Sequence, residues 1–107
     1  MAKTRTNRTS ESEMRIAALQ VARSKPNGIA TTTQIKEEIG KYVDLTPEDL
    51  VQSKTRQNEQ MYQQIVGNII SHQDSQTNIF ARGLAVYTGD GIRITQAGLD
   101  FLQRRGL

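Results

Sequence analysis

The sequence has no cysteine and no tryptophan, and it contains only two prolines and few aromatic residues. Without cysteine the chain can form neither a disulfide nor a thiolate metal site, which fits a reducing compartment. No apolar run approaches the length of a membrane-spanning helix, and the N-terminal residues lack the apolar segment of a secretion signal. We therefore expect a soluble, cytoplasmic protein that does not associate with membranes.

The positive charge of the chain is concentrated at its beginning. The net charge is +3, and the first ten residues carry Lys3, Arg5 and Arg8 without any acidic residue. Because these three account for the excess of 14 Lys and Arg over 11 Asp and Glu, the rest of the chain is formally neutral. A basic arm of this composition is typical of a segment that contacts a polyanion, although a solvated terminus without a partner has the same features. We predict a flexible arm at 1–9 and one domain over 10–107.

Capping signals predict two helices in the first part of the chain. Ser10 and Glu13 form a capping box ahead of a wide apolar face, and Pro26 ends this first helix. A very short strand follows at 29–30. Thr31 then caps a second helix, with a glutamine three residues later at the box position.

A longer helix is predicted over about 57–73, after a short helix over about 47–52. Its apolar residues recur at helical spacing, whereas the opposite face is uncharged and rich in glutamine. Gln and Asn can read adenine through paired hydrogen bonds, but Gln is also simply a good helix former on a solvated face. Gly67, in mid-helix, admits either a close phosphate or another helix. The polar candidates for base contacts are Gln60, Gln63, Gln64 and Asn68.

The stretch GLAVYTGDGIRITQAGLDFL, residues 83–102, predicts a β-hairpin that runs directly into a last helix. One strand spans 79–88 with a bend at Gly83, and its partner spans 92–94. Thr95 caps the helix, which extends to about residue 105. The candidates to dock this helix on the domain are Ala97, Leu99, Phe101 and Leu102.

The alternation of residues predicts the register of this hairpin. A three-residue loop over 89–91 gives Tyr87 and Arg93 a common outward face, with Gly91 in the left-handed conformation. One face of the hairpin would then belong to the core, and the other would be free to meet a partner. The inward residues would be Leu84, Val86, Ile92 and Ile94.

The order of elements is helix, short strand, helix, short helix, long helix, hairpin and helix. It predicts an α+β fold, mostly helical, and it is the order of a winged helix-turn-helix domain. The C-terminal β-hairpin is the wing, and a final helix follows it. In such domains the long helix enters the major groove of DNA, and the wing would reach the sugar-phosphate backbone.

Three short segments within 45–107 carry a family resemblance. They are LTPEDL at 45–50, the pair Val66-Gly67 inside the long helix, and RITQAG at 93–98. They resemble the N-terminal winged-helix domain of the Mrr family of restriction proteins. The resemblance implies a DNA-binding domain, and the nuclease domain that normally follows has no room in this chain, so we expect no restriction activity. That family usually carries several Arg or Lys in its recognition segment, whereas residues 57–73 have none.

Basic residues near these elements are candidate phosphate contacts. Each phosphate that such a residue neutralises steepens the salt dependence of binding by nearly one unit. The residues of the arm resemble those that enter a minor groove. Asp90, at the tip of the hairpin, argues against deep insertion among phosphates. The candidates for contacts with double-stranded DNA are Lys54, Arg56, Arg82, Arg93, Lys3, Arg5 and Arg8.

No catalytic residue, metal site or cofactor site is predicted. His72, the single histidine, sits in the last turn of the long helix, where the helix dipole favours a cation. Glu37, Glu38 and Asp44 fit a solvated helix face and turn better than a metal site. The Gly-Asp-Gly segment is a turn and not a phosphate loop. We therefore expect a protein that is not an enzyme.

An alternative function is a winged helix that contacts a protein, either a different partner or a second copy of the chain. The neutral body and the uncharged long helix favour this alternative, whereas the basic arm and Arg93 favour DNA. Binding that weakens strongly with salt would indicate DNA. A stoichiometric complex without DNA affinity would indicate a protein partner.

Overall fold

The computed structural model describes residues 11–43, 45, 60–71 and 79–107. Within these residues it forms four helices and a three-stranded antiparallel sheet, so the predicted α+β, mostly helical class is confirmed. None of the helices in these ranges is long and apolar enough to cross a membrane. The elements are α1 (Glu11–Arg23), β1 (Ile29–Thr31), α2 (Thr32–Glu38), α3 (Met61–Ser71), β2 (Ala85–Tyr87), β3 (Gly91–Ile94) and α4 (Gln96–Arg104).

Several predicted features lie outside the described residues. These are the arm at 1–9, the cap at Ser10, the short helix at 47–52 and the outer ends of the predicted long helix. Short 3-10 turns follow α1 at Pro26–Gly28 and α2 at Ile39–Lys41.

The helix α1 is the centre of the core and contacts the other three helices and the sheet. Its alanines leave room for these neighbours to approach closely. Pro26 follows the helix as predicted, and Asn27 and Gly28 adopt left-handed φ values of 60° and 68°, which turn the chain into β1. The buried residues of α1 are Met14, Ala17, Ala18, Leu19, Val21 and Ala22.

The predicted caps of α2 and α4 are confirmed. Thr31 Oγ1 accepts a hydrogen bond from the Gln34 backbone N–H at 3.1 Å, and Gln34 Oε1 accepts one from the Thr31 N–H at 2.9 Å. Thr95 Oγ1 accepts a hydrogen bond from the Gly98 N–H at 3.1 Å. Each cap pairs backbone groups that would otherwise lack a partner in the first turn of the helix.

The sheet has the order β1-β3-β2, so the strand that precedes α2 lies beside the last strand of the chain. Ala30 of β1 is opposite Ile92 of β3, and both are buried against the helices. Ala85 and Ile94 form a second buried pair. The inner face of the sheet therefore completes the core, and the other face points outward.

The register of the hairpin differs from the predicted one. Val86, and not Tyr87, lies opposite Arg93, and Tyr87 lies opposite Ile92. A shift of one residue turns every side chain of a strand to the other face. Val86 is therefore exposed, although the sequence pattern predicts it inside.

The glycines of the hairpin loop have different roles from the predicted ones. Gly89 adopts the left-handed conformation, with φ of 100°, and Gly91 does not. Gly91 instead lies against β1, where an added Cβ would come within 2.0 Å of the Ala30 carbonyl oxygen. The close approach of β1 to β3 thus requires glycine at this position.

The first half of the predicted strand over 79–88 is a helical turn, so the strand prediction is wrong for residues 79–84. The Leu84 N–H donates to the Ile79 carbonyl at 2.9 Å, and the Gly83 N–H donates to the Phe80 carbonyl at 3.1 Å. With Gly83 at φ of 73°, these two bonds form a Schellman motif. Glycine at this position ends a helical turn and does not merely bend a strand.

The helix α4 docks on the domain through Gly98 and Leu102, which are both buried. An added Cβ at Gly98 would come within 2.2 Å of the Leu84 carbonyl oxygen, so the helix lies directly on the backbone before β2. Leu99 and Phe101 are partly buried against the core, as predicted. Ala97 is exposed, so its predicted role in docking is wrong.

Candidate nucleic-acid interface

The helix α3 is amphipathic, as its sequence predicts. Its apolar side packs against α1 and α2 through Ile65, Val66, Ile69 and Ile70, which are buried. The polar candidates are partly exposed, and Gln60, Gln64 and Asn68 follow one another at intervals of four residues. Residues with this spacing lie on one side of a helix, so the three amides form a continuous polar edge.

Gln63 has a structural role at the start of α3. Its Oε1 accepts a hydrogen bond from the Gln60 backbone N–H at 2.8 Å, while the Gln60 carbonyl accepts from the Gln63 and Gln64 N–H groups at 3.0 and 3.1 Å. Paired recognition of adenine needs both the amide oxygen and the amide NH₂ of a glutamine. Because its oxygen already caps the helix, Gln63 is less suited to base contacts than its sequence position suggests.

Gly67 is buried, although its sequence position places it on the polar side of α3. A buried glycine presents no open backbone to a phosphate group. Its burial therefore favours close packing over phosphate contact, the two interpretations that the sequence leaves open.

Arg93 occupies the middle of the outer face of the sheet. It lies opposite Ile29 on β1 and Val86 on β2, and its side chain is exposed. Ile29 and Val86 are themselves 40% and 39% exposed. The outer face therefore presents one guanidinium group between two apolar side chains.

The tip of the hairpin is attached to the start of α2. The Asp90 carbonyl accepts hydrogen bonds from Thr32 N–H at 2.8 Å and from Thr32 Oγ1 at 3.0 Å. Thr88 Oγ1 lies 3.2 Å from Asp90 Oδ1, and Tyr87 donates its hydroxyl to the Gly89 carbonyl at 2.7 Å. Hydrogen bonds therefore hold the tip of the hairpin in place. The face that carries Arg93 is more available to a partner than the tip.

Arg82 is placed at a different site from Arg93. Its guanidinium carbon lies 5.0 Å from the centre of the Phe101 ring, on α4. This contact brings it together with Arg105, whose guanidinium carbon lies 4.6 Å from the same ring. The sequence pattern groups Arg82 with the hairpin, and nothing in that pattern indicates its contact with α4.

The remaining basic candidates lie outside the described residues. These are Lys3, Arg5, Arg8, Lys54 and Arg56, and His72 lies outside them as well. Their predicted contacts with phosphate groups stay predictions.

Glu38, the last residue of α2, takes part in two ion pairs. Glu38 forms a salt bridge with Lys25, and its other carboxylate oxygen lies 3.5 Å from Lys41 Nζ. The hydrogen bond from Lys25 lowers the pKa of the Glu38 carboxyl, because it stabilises the charged form. Asp44 is not described, and the described ranges hold no group of three metal-ligating side chains.

Two exposed apolar residues of the sheet, Ile29 and Val86, have no counterpart in the sequence prediction. Tyr87 is 46% exposed and joins Ile29 and Val86 among the exposed large apolar residues. The signal for Ile29 was its place next to Ala30, since neighbours in a strand point to opposite faces.

Comparison of the chain with protein-family models, curated protein sequences and solved structures gives no significant match.

Proposed function

We propose that the chain is a winged-helix DNA-binding protein or accessory domain that acts without catalysis. The observation that carries the proposal is the connectivity of the sheet. A strand between the first two helices lies beside the second strand of a hairpin that follows α3 in the chain, giving the order β1-β3-β2. This connectivity, together with the resemblance to the N-terminal domain of the Mrr family, supports a winged helix and a role in DNA recognition for a restriction-type system.

In this proposal α3 lies in the major groove with its polar edge toward the bases. Gln64 and Asn68 supply amide groups that recognise base edges, and Gln60 extends the same edge. Arg93 contacts a phosphate from the outer face of the sheet, which fixes the orientation of the domain on the duplex. The partial exposure of the three amides and the exposure of Arg93 support these assignments.

In this proposal the affinity for DNA and the discrimination between bases come from different residues. The polar edge carries no charge, so it adds base discrimination and little salt-dependent affinity. Basic residues outside this edge therefore supply the electrostatic attraction, namely Arg93, Lys54 and Arg56 together with the arm residues Lys3, Arg5 and Arg8.

Fluorescence anisotropy with a labelled DNA duplex tests the proposal. The full chain is titrated over a series of salt concentrations and compared with a chain that lacks residues 1–9. We expect binding in the micromolar range that weakens steeply with salt. Loss of most binding on truncation would assign the main contact to the arm, and retention would assign it to Lys54, Arg56 and Arg93. Absence of binding at low salt would contradict the proposal.

The outer face of the sheet favours a second candidate function, which is contact with a protein. Ile29 and Val86 flank Arg93 with exposed apolar surface, which suits a partner segment that carries an acidic residue among apolar ones. A second copy of the chain is the simplest partner. Sedimentation of the wild type and of Val86→Ser tests this form. A dimer that dissociates on substitution and has no DNA affinity supports it, and a monomer at about 100 μM contradicts it.

A further inference from the structure

A cleft between α1, the Schellman turn and α4 gathers cationic and apolar side chains. It has a volume of about 110 Å³. Three arginines line it, namely Arg15 of α1, Arg82 of the turn and Arg105, which directly follows α4. Its apolar walls include Leu19, Ile79 and Leu84, and these three residues are buried in the core. The cleft is separate from the candidate DNA interface, since none of the described side chains of α3 or of the sheet strands lines it.

Two of the arginines share one aromatic ring. The guanidinium carbons of Arg82 and Arg105 lie 5.0 Å and 4.6 Å from the centre of the Phe101 ring. The two charges are therefore no farther apart than roughly one Debye length at physiological ionic strength, about 8–10 Å. Two like charges within this distance repel each other, and an anion that contacts both would reduce that repulsion.

The described residues that line the cleft include no acidic side chain. Asp100 is next to Phe101 in the chain, but its carboxylate accepts a hydrogen bond from Gln96 Nε2 at 3.0 Å on the exposed side of α4. The cationic character of the cleft is thus not cancelled by the acidic residue nearest to it in α4. An anionic ligand would complement the positive charge of the cleft.

The backbone that carries Arg82 is held in place. Thr95 Oγ1 donates a hydrogen bond to the Gly83 carbonyl at 2.6 Å and accepts one from the Gly98 N–H at 3.1 Å. One hydroxyl therefore ties the Schellman turn to the first turn of α4. A site whose cations are positioned before binding loses less conformational entropy when the ligand arrives.

We propose that this cleft binds a small organic anion, a carboxylate attached to a short aromatic or branched apolar group. The carboxylate accepts hydrogen bonds from the guanidinium groups of Arg82 and Arg105, whose paired N–H donors match its geometry. The apolar group lies against Leu19, Ile79 and Leu84. A cavity of about 150 Å³ holds benzene, so this smaller, open cleft accommodates most of one six-membered ring. The apolar walls disfavour a fully hydrated anion such as inorganic phosphate.

Isothermal titration calorimetry of the full chain with benzoate tests the proposal. Arg82→Gln and Arg105→Gln each remove one of the two charges, and Arg104→Gln is the matched control. Arg104 is exposed on the same helix and does not line the cleft. We expect benzoate to bind with a Kd in the low millimolar range or tighter. Each cleft variant should weaken binding by at least about fivefold, as expected for the loss of a charge-assisted hydrogen bond, and the control by less than about twofold.

Two further probes separate the chemistry of the ligand. Benzamide, which is neutral, should bind at least about fivefold more weakly than benzoate, and inorganic phosphate should do the same. Absence of benzoate binding at about 20 mM would overturn the proposal, as would equal weakening by Arg104→Gln. Phosphate binding as tight as benzoate binding would overturn the assignment of an apolar group. Circular dichroism of each variant verifies that it is folded, and Arg82→Lys, which keeps the charge, should retain part of the affinity.

Discussion

Arg93 of β3 lies directly across from Val86 of β2, and both side chains are exposed on the outer face of the sheet. The pair results from a hairpin register that is shifted by one residue from the register that the sequence predicts. The guanidinium group of Arg93 therefore lies among apolar side chains and not beside the Tyr87 hydroxyl. This arrangement makes Arg93 the first residue to change in a test of DNA binding.

Arg93→Gln should weaken binding to a DNA duplex without unfolding the protein. The substitution removes the charge and keeps a polar side chain, so one phosphate contact is lost. We expect the slope of log K against log salt concentration to become shallower by about 0.9. The free energy of unfolding in urea should change by less than about 0.5 kcal/mol, because the side chain is exposed. An equal change of slope in Arg104→Gln, on α4, would show that Arg93 has no specific contact.

Thr31→Ala should destabilise the domain by about 1 kcal/mol, measured by urea unfolding. The threonine hydroxyl caps the Gln34 N–H at the start of α2, and alanine leaves that donor without its partner. Thr33→Ala is the control, since Thr33 is exposed within the same helix. The control should be neutral or slightly stabilising, because alanine has the higher helix propensity. Similar losses in both variants would contradict a specific capping role.

Gly98→Ala should destabilise the domain even though it raises helix propensity. Replacing an exposed helical glycine with alanine ordinarily raises the free energy of unfolding by about 1 kcal/mol. At Gly98, however, the added Cβ would lie 2.2 Å from the Leu84 carbonyl oxygen. Because that neighbour is backbone, α4 must shift, and we expect a loss of about 1–3 kcal/mol in urea unfolding.

Gly40→Ala provides the comparison for Gly98→Ala. A Cβ at Gly40 would meet only Leu45 Cδ1, at 3.5 Å, which is an ordinary contact. We expect the stability of this variant to stay within about 1 kcal/mol of the wild type. Stabilisation by Gly98→Ala would contradict the close contact between α4 and the turn before β2.

The salt bridge between Glu38 and Lys25 should make stability depend on pH in the acidic range. The pKa of Glu38 is lowered by the hydrogen bond from Lys25, so the unfolded chain binds a proton more readily than the folded one. Its contribution is fully present above the ordinary carboxyl pKa and is lost as the pH falls through the lowered value. Urea unfolding from pH 7 to pH 2 measures the dependence.

Glu38→Gln isolates that contribution. The variant should be less stable than the wild type at neutral pH, and the difference should disappear at acidic pH. Glu37→Gln, at an exposed neighbouring position, is the control and should leave the profile unchanged. A difference between Glu38→Gln and the wild type that is the same at both ends of the range would contradict the ion pair as its source.

The helix caps show which parts of the fold can be predicted from sequence. Thr31 with Gln34, and Thr95 ahead of α4, are local signals, because the residues that interact are three apart in the chain. The short strand at Ile29 and the apolar side of α3 were equally local. Such features need no knowledge of distant contacts, and the structure confirms them.

The errors lie where distant contacts decide the structure. Gly83 is compatible with a bent strand or a helical turn, and the Schellman motif depends on how Leu84 packs under α4. The hairpin register depends on Gly91 approaching β1, which is 60 residues earlier in the chain. The contact of Arg82 with Phe101 likewise joins segments whose proximity the local pattern does not contain.

Nuclear magnetic resonance titration of the ¹⁵N-labelled chain with a DNA duplex tests the central claim most directly. The proposal predicts that the amide signals which shift most at low salt belong to the start and middle of α3, around Gln60, Gln64 and Asn68, and to β3 around Arg93. Signals of the cleft between α1 and α4, around Phe101, should stay in place. Shifts confined to residues 1–9, or no shifts at low salt, would contradict recognition of DNA by α3 and the hairpin.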